Sequence, residues 1–336
     1  MDYRFLGRTG LKVSELCMGT QTFGWGADEP TAHRMASMFV DAGGNFLDTS
    51  NIYNEGKSET MLGNWLSQQP DRSRLVIATK VFFPVGDGPN DTGLTRKHIL
   101  TQVEGSLRRL QTDYIDLYQM HCWDASTPLD ETLRALDDLV RAGKVRYLGA
   151  SNYTPSQLMR ALMLSEMRGW ARFDCLQPEY SLLVRSPEWE LLPLCREQGV
   201  GFIAWSPLGG GWLSGKYRRD AAPPADSRVG RADRWDDLPE QRETERTWQI
   251  IDALWAIGEA RGKTPAQVAL NWVLCQPGVT APIFGARTPE QLEQNLGCIG
   301  WSLTSEELAR LDEVSAIGLP SPYNFIARYT RRRDGA

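Results

Sequence analysis

The strongest constraint on the fold of this chain is a repeated alternation of short apolar runs with longer segments of helical period. Eight runs rich in β-branched and apolar residues are strand candidates: residues 16–20, 46–49, 75–81, 115–121, 145–150, 173–178, 201–205 and 279–284. Strict alternation of strand and helix predicts a parallel sheet with right-handed crossovers, and eight such units can close into a barrel. We therefore predict an α/β fold in which residues 1–336 form a single (β/α)8 TIM barrel.

The segments between the predicted strands have the spacing of amphipathic helices. The clearest are residues 32–42, 95–110, 129–142, 155–167, 188–198 and 247–261. Thr95 and Pro155 are typical of helix starts, whereas Gly43 and Gly143 are typical of helix ends.

Three segments lie outside the eight repeats. Residues 1–14 are predicted to form an N-terminal hairpin that turns around Thr9 and closes the amino-terminal end of the barrel. Residues 209–241 combine a run of three glycines, a proline pair and many charges, and this long loop after the seventh strand is a candidate lid or cofactor clasp. Residues 318–336 are expected to form a solvated C-terminal tail.

Composition and charge argue against several kinds of partner. The formal net charge of −5 offers no electrostatic footprint for nucleic acid or an anionic membrane. The six cysteines include no C-x-x-C pair and the chain has three histidines, so we predict free thiols and no metal site. We find neither a signal peptide nor a run of about 18 apolar residues, and this predicts a soluble cytoplasmic protein. The sequence leaves open whether it is a monomer or a homo-oligomer.

Four polar residues fall where predicted strands end, which is where barrel enzymes place their reacting groups. Asp48 closes the second strand, Tyr53 lies in the loop after it, Lys80 is near the end of the third strand and His121 ends the fourth. Each residue alone also fits a structural role, as a cap, a packed loop residue, a salt bridge or a core histidine. Four together at successive strand ends favour a catalytic site at one barrel mouth.

These four residue types suit the reduction of a carbonyl group. Hydride addition leaves an alkoxide, so the site needs a positioned proton donor, for which Tyr53 is the candidate. The Lys80 ammonium is expected to lower the phenol pKa, Asp48 to hold that ammonium, and His121 to orient the carbonyl oxygen.

The stretches around these residues resemble the aldo-keto reductase family, in particular the branch that includes the voltage-gated potassium channel β subunits. They are YRFLGRTGLKVS at 3–14, FLDTSNIY at 46–53, ATK at 78–80, QMH at 119–121, GASN at 149–152 and WSPL at 205–208. The resemblance implies a catalytic tetrad of Asp48, Tyr53, Lys80 and His121, with Tyr53 as general acid. It also implies NADPH-dependent reduction of an aldehyde or ketone, a small-molecule carbonyl substrate.

The cofactor is expected to lie across the barrel mouth, because no G-x-G-x-x-G follows an early strand. Ser151, Asn152 and Gln177 offer amide and hydroxyl groups able to read a carboxamide, and the family likeness places them there. Trp205 offers a flat ring to stack on the nicotinamide or to pack in the core. The first strand end adds the cofactor candidates Gly19 and Thr20.

Two further segments are expected to hold the cofactor phosphates. One lets the backbone approach a pyrophosphate, and it consists of Ser206, Pro207, Leu208, Gly209, Gly210 and Gly211. Beyond it, Lys216 and Arg228 match positions that, in the channel-subunit branch, clasp the phosphates and adenine.

The segment after the eighth strand predicts the preference between the two nicotinamide dinucleotides. Thr288 suits a helix N-cap and Gln291 completes a capping box, so this N-terminus suits an anion. Arg287 adds a positive charge suited to the 2′-phosphate of NADPH, which favours NADPH over NADH as the cofactor. The other candidates in this segment are Gly285, where many family members have lysine, with Gln294 and Asn295.

Aromatic residues after four strands are candidate walls of the substrate pocket. Trp25, Phe83, Trp123 and Tyr180 are expected to ring the space beside Tyr53 and His121, although each can equally be a packing residue. Aromatic walls favour an apolar, aromatic or sugar-like carbonyl compound.

Two other functions compete with this interpretation. The chain can be a cofactor-bound interaction subunit, as in the potassium channel β subunits. It can also be a barrel aldolase that uses Lys80 as a Schiff-base amine, but Asp48 argues against this because it keeps the lysine protonated.

Overall fold

The computed structural model describes residues 1–219, 221–222, 224 and 242–333 of the chain. Two short strands, β1 (Tyr3–Phe5) and β2 (Lys12–Ser14), pair antiparallel. The strands that follow are β3 (Cys17–Gly19), β4 (Phe46–Asp48), β5 (Val76–Val81), β6 (Ile115–Met120), β7 (Val145–Ser151), β8 (Phe173–Gln177), β9 (Gly201–Ala204) and β10 (Val279–Phe284). These eight strands run parallel and close into a barrel, so the predicted (β/α)8 fold is confirmed.

Helices return the chain between the barrel strands. Within the described residues they are α1 (Glu29–Asp41), α2 (Lys57–Leu66), α3 (Arg96–Leu110), α4 (Leu129–Arg141), α5 (Pro155–Arg168), α6 (Leu191–Gln198), α7 (Glu245–Arg261), α8 (Pro265–Cys275), α9 (Pro289–Leu296), α10 (Ser305–Ser315) and α11 (Tyr323–Arg333). The predicted helix signals hold: Thr95 caps α3, Pro155 occupies the first turn of α5, and Gly43 and Gly143 have positive φ after α1 and α4.

The helices differ from the sequence prediction in several places, and the prediction did not name α2, α8, α10 or α11. The predicted helix 188–198 begins only at Leu191, because Glu188 ends a 3-10 turn and accepts hydrogen bonds from Tyr180 and Arg185. Helix α8 was not predicted, because nearly all of its residues are buried and its sequence has no amphipathic period.

The N-terminal hairpin closes the floor of the barrel. Leu6 and Val13 are fully buried and belong to the apolar cluster inside the barrel. The backbone N–H of Arg8 donates to the carbonyl of Gly199 at 2.8 Å. Gly7 has φ +56°, and a Cβ there would lie 2.4 Å from the same carbonyl oxygen, so only glycine allows this approach.

The strand period places a polar layer directly above the apolar layer inside the barrel. Phe46, Ala78, Leu117 and Cys175 point into the interior cluster. Two residues further along each of these strands stand Asp48, Lys80, Gln119 and Gln177, all of them buried. Because alternate residues of a strand share a face, these four polar side chains meet at the carboxyl ends of the strands.

The remaining segments give short local elements. Gly209–Ser214 form a 3-10 turn at the start of the predicted loop 209–241. The tail contains α11, where the Tyr323 hydroxyl donates to Glu190 at 2.8 Å and the ring stacks on Trp189. Among the helices of the described residues, none has the length and apolar character needed to cross a lipid bilayer.

Candidate active site

Lys80 occupies the centre of the polar layer and is fully buried. Its ammonium forms an ion pair with the Asp48 carboxylate and donates to the carbonyl of Thr49 at 2.9 Å. It also donates to the Tyr53 hydroxyl at 3.3 Å. Three acceptors therefore use the three protons of one ammonium, and Tyr53 is one of them.

A strained turn after β4 brings Tyr53 back over Lys80. Tyr53–Gly56 form a 3-10 turn in which Asn54 and Glu55 adopt φ of +50° and +58°. The side-chain amide of Asn54 stabilises this conformation by donating to the carbonyls of Phe23, at 2.6 Å, and Gln21, at 3.0 Å. Positive φ is uncommon away from glycine, so the turn is a shape that the site imposes on the chain.

Burial and charge act in opposite directions on both members of the Lys80–Tyr53 pair. Burial lowers the pKa of the Lys80 ammonium, but Asp48 and Tyr53 outweigh it and hold that pKa above its ordinary value. Burial raises the pKa of the Tyr53 phenol, and Lys80 opposes this effect without cancelling it. Lys80 thus acts on the phenol pKa in the predicted direction, but the net shift is upward because burial is the larger effect.

His121 completes the predicted tetrad at the same cavity wall. Its ring packs edge-on against Tyr53, with centroids 5.8 Å apart, and against Phe83, at 4.8 Å. Burial and, second, the Lys80 charge hold the pKa of His121 well below its ordinary value, so the ring is neutral.

Ser50 is the hydrogen-bond partner of Nδ1 of His121. The Ser50 hydroxyl lies 3.1 Å from Nδ1 of His121 and accepts from the Ile52 N–H at 3.5 Å. The hydroxyl proton can therefore go to Nδ1, which leaves the ring proton on Nε2. Sequence analysis missed Ser50, although its position between Asp48 and Tyr53 was a usable signal.

One large cavity opens at the barrel mouth beside these residues. Its volume is about 900 Å³, within the range of roughly 300–1,000 Å³ that is typical of small-molecule sites. Of the predicted site residues, those that line it are Gly19, Trp25, Asp48, Tyr53, Phe83, His121, Ser151, Asn152, Gln177, Trp205, Ser206, Pro207, Leu208, Gly210, Lys216, Gly285, Arg287, Gln291, Gln294 and Asn295.

A few predicted site residues lie elsewhere. Thr20 is fully buried behind the wall, where its hydroxyl donates to the Asp48 carbonyl at 3.0 Å. Gly209 is buried and its backbone N–H donates to the Ser206 carbonyl, so neither it nor Thr20 lines the cavity. Lys80 does not line the cavity, but its ammonium contacts Tyr53 and Asp48, which do. The predicted phosphate contact Arg228 lies outside the described residues.

Two of the four predicted aromatic wall residues pack away from the cavity, which corrects the sequence prediction. Tyr180 is fully buried against Phe202 and Trp272, and its hydroxyl donates to Glu188. Trp123 packs edge-on against Tyr153, with centroids 5.2 Å apart. Neither lines the cavity, because each side chain turns into the layer between the strands and the helices.

The cavity wall fits an extended dinucleotide. Ser151, Asn152 and Gln177 cluster at the ends of β7 and β8, and the Trp205 indole N–H donates to the Asn152 side-chain oxygen at 3.2 Å. Gly211 has φ +97°, and a Cβ there would lie 2.8 Å from the Lys216 ammonium. A bulkier residue would fill this backbone cradle, which suits the approach of a pyrophosphate.

Thr288 caps α9 as predicted, but Gln291 does not complete the predicted capping box, because its side chain bonds to the residue before the cap. The Gln291 backbone donates to Thr288 Oγ1 at 3.3 Å, and the Gln291 side chain accepts from the Arg287 N–H at 2.9 Å. A Cβ on Gly26 would lie 2.9 Å from Arg287 Cδ, so glycine makes room for this arginine. Arg287 and three residues of α9 line the same cavity, which places a positively charged residue beside the first turn of a helix; the three are Gln291, Gln294 and Asn295.

Sequence analysis missed several residues of this wall. Gln21 and Thr22 directly follow the first strand, so the strand-end rule could have included them. Glu179 forms an ion pair with Arg242 at 2.6 Å on the same wall. The residues 263–266 line it at the start of α8, and only the folded chain brings that helix to the barrel mouth.

Comparisons with known proteins agree with the predicted family. Residues 15–316 match the model of the aldo/keto reductase family. The chain is 42% identical to the uncharacterized oxidoreductase YrpG of Bacillus subtilis (strain 168), across 94% of this chain and 96% of that protein. It is 36% identical to a probable voltage-gated potassium channel subunit beta of Arabidopsis thaliana, across 89% and 91%. It is 33% identical to the versiconal hemiacetal acetate reductase of Aspergillus parasiticus, across 93% and 96%.

Proposed function

Because the chain belongs to the aldo/keto reductase family, whose members act on carbonyl compounds, we propose that it reduces an aldehyde or ketone to an alcohol with NADPH. The observation that carries this proposal is the Tyr53 hydroxyl at the cavity wall, 3.3 Å from a buried ammonium and packed against a neutral histidine. A proton donor and an orienting group thus border one cavity, and the cation that stabilises the conjugate base of the donor lies directly beneath it.

NADPH supplies the hydride, and the residues at the ends of β7 and β8 are suited to hold its carboxamide. Ser151, Asn152 and Gln177 border the same part of the cavity wall, next to Trp205. The backbone from Ser206 to Gly211 and the Lys216 ammonium suit the pyrophosphate.

The preference for NADPH over NADH rests on Arg287. Arg287 lines the cavity and directly precedes the N-cap of α9, so a 2′-phosphate bound there would meet a cation near the positive end of a helix. NADH has a hydroxyl in place of that phosphate and gains little from either feature.

Tyr53 acts as the general acid in this proposal. Its pKa lies above the ordinary value, so the phenol is protonated at neutral pH. As the carbonyl carbon accepts the hydride, the phenolic proton moves to the carbonyl oxygen and gives the alcohol. Lys80 stabilises the phenolate that remains, because its ammonium is 3.3 Å away and stays charged through its ion pair with Asp48.

His121 orients the carbonyl oxygen. With Nδ1 engaged by Ser50, the Nε2–H of the neutral ring is the group that can donate to that oxygen. A neutral ring also does not compete with Tyr53 as a strong acid, so proton transfer and orientation belong to different side chains.

The same charges argue against a Schiff-base aldolase. Imine formation needs an uncharged amine, whereas Asp48 and Tyr53 hold the pKa of Lys80 above its ordinary value. The amine is also fully buried, so a substrate carbonyl cannot reach it.

The proposed substrates are apolar or aromatic carbonyl compounds. Phe83 lines the cavity against His121, Trp25 also lines the cavity, and both rings offer apolar surface. Flat aromatic walls bind flat apolar molecules through surface burial, with the carbonyl oxygen directed at the two polar groups.

The proposal is tested by following NADPH oxidation with 4-nitrobenzaldehyde, together with fluorescence titrations of NADPH and NADH. We expect turnover with NADPH, and quenching of tryptophan fluorescence at lower NADPH than NADH concentrations. Binding of NADPH with no turnover across a panel of aromatic and aliphatic aldehydes and ketones would instead favour a cofactor-bound interaction subunit.

A further inference from the structure

Gln119 is a fully buried glutamine on the inner face of β6, in the polar layer below the cavity. Its side-chain nitrogen donates to Asp48 Oδ1 at 2.9 Å. Its side-chain oxygen accepts from the Gln177 amide at 3.1 Å and from the Cys175 thiol at 3.8 Å. The residue touches Asp48 and Gln177, but it does not itself line the cavity.

The donor and acceptor chemistry allows only one arrangement of the two amides. Asp48 is the carboxylate of an ion pair and can only accept, so both glutamines must direct nitrogen at its Oδ1. Gln177 donates one proton to Asp48 at 3.0 Å and the other to Gln119 at 3.1 Å. Both protons of the Gln177 amide are then used, which leaves its Oε1 as the side-chain atom that a cavity ligand can meet.

Gln119 fits inside the barrel because the residue opposite it on the neighbouring strand is a glycine, Gly149. Gly149 lies opposite Gln119 in the register of β6 and β7, and next to Cys175 in the register of β7 and β8. A Cβ on Gly149 would lie 2.9 Å from Gln119 Cγ and 2.7 Å from Cys175 Sγ. Any larger residue there would displace the glutamine, so this strand position and Gln119 form one packed unit.

From this geometry we infer that Gln119 is a positioning residue that locks the Gln177 amide with its oxygen toward the cavity. Locked in this way, Gln177 accepts from an N–H donor and rejects a group that offers none. The ligand group it selects is a carboxamide, and the inference therefore rests on the proposed function. Without Gln119, the Gln177 nitrogen keeps its bond to Asp48 but loses its second acceptor, so the amide can turn about that single bond and its oxygen is no longer held toward the cavity.

The test compares two dinucleotides that differ only at that group. NADP+ has a carboxamide, whereas its 3-acetylpyridine analogue has a methyl ketone and cannot donate. We expect the wild-type protein to bind NADP+ about three- to tenfold more tightly than the analogue, as one net hydrogen bond allows. In Gln119→Met, which keeps the length and volume of the side chain, we expect the two dissociation constants to agree within about twofold.

Two controls separate positioning from general damage. Adenosine 2′,5′-bisphosphate has no nicotinamide, so Gln119→Met should bind it as the wild type does. Leu117→Val removes a methylene from the same inner face of β6, one step below Gln119, and should keep the wild-type preference for NADP+. All dissociation constants are measured by isothermal titration calorimetry, and thermal unfolding shows that each variant is folded.

The outcomes are distinct. A folded Gln119→Met that still prefers NADP+ over the analogue overturns the inference and leaves the proposed function intact. A wild-type protein that binds both dinucleotides equally overturns it as well, and this measurement needs no variant. A wild-type protein that binds neither dinucleotide contradicts the proposed function, and the inference fails with it.

Discussion

The ammonium nitrogen of Lys80 lies 3.3 Å from the hydroxyl oxygen of Tyr53, although the two residues are 27 positions apart on different strand and loop units. The ammonium also holds Asp48 and the carbonyl of Thr49, so its direction is fixed before any ligand binds. Such preorganisation matters for catalysis because a fixed charge costs no reorganisation when a phenolate forms beside it.

Replacing Tyr53 by phenylalanine removes the proposed acid and little else. We expect Tyr53→Phe to lower kcat for an aldehyde by about 10²- to 10⁴-fold, the usual contribution of a positioned acid. The dissociation constant for NADPH should stay within about twofold. Steady-state kinetics and fluorescence titration measure the two quantities. Tyr323→Phe changes a tyrosine on α11 and should keep wild-type kinetics, whereas near-normal turnover in Tyr53→Phe would exclude this residue as the acid.

Removing one partner of the buried ion pair between Lys80 and Asp48 should lower the free energy of unfolding strongly. Replacing both partners together should cost less than the two single replacements combined. We expect Lys80→Met to lower the free energy of unfolding by roughly 3–5 kcal/mol, because it leaves a buried carboxylate without its cation. The double variant with Asp48→Asn should lose less than the sum of the single variants. Urea denaturation measures all three changes.

Lys144 provides a matched control for that experiment. Its ammonium pairs with Glu104 at the surface, where both side chains are more than a third exposed. Lys144→Met should cost at most about 1 kcal/mol, since exposed ion pairs contribute little. Equal losses for Lys80→Met and Lys144→Met would show that burial of the first pair does not matter.

The neutral state of His121 predicts a pH dependence of stability. In the unfolded chain a histidine has a pKa of about 6.5, and in the folded protein burial and Lys80 hold that of His121 well below this value. Below pH 6.5 the unfolded state therefore binds a proton that the folded state does not, so stability falls as the pH drops. We expect His121→Gln to reduce this slope by at most about 1.4 kcal/mol per pH unit between pH 6.5 and 5.5.

Urea denaturation of both proteins at pH 7.5 and pH 5.5 measures this difference. The His121→Gln variant should lose less stability than the wild type over that interval. The same loss in both proteins would mean that His121 takes up a proton in the folded state as easily as in the unfolded chain.

Arg287 should distinguish the two nicotinamide dinucleotides. We expect Arg287→Met to raise the dissociation constant for NADPH by about ten- to a hundredfold, as the loss of a hydrogen bond to a charged group implies. The constant for NADH should stay within about twofold. Parallel titrations of the two dinucleotides provide the measurement. Arg310→Met, which removes an exposed arginine on α10, is the control and should leave both dissociation constants unchanged. An equal rise in the dissociation constants of both dinucleotides would show that Arg287 does not bind the 2′-phosphate.

The barrel and the convergence of Asp48, Tyr53, Lys80 and His121 could be predicted because both follow from local pattern. Apolar runs alternate with amphipathic segments, and parallel strands in a barrel end at one face, so polar residues at strand ends meet there. The caps at Thr95 and Thr288 were visible for the same reason, since a cap bonds within one turn of its helix.

The tertiary structure decided what depends on neighbours that are distant in sequence. Tyr180 and Phe83 both follow barrel strands, yet one packs under the helices and the other lines the cavity. The net pKa shift of Tyr53 depends on how deeply the folded chain buries it, and sequence shows only its charged neighbour. The partners of Gln119 come from β4 and β8, 71 and 58 positions away. Periodicity specifies which face of a strand a side chain takes, but burial and hydrogen-bond partners are set by packing between segments that meet only when the barrel closes.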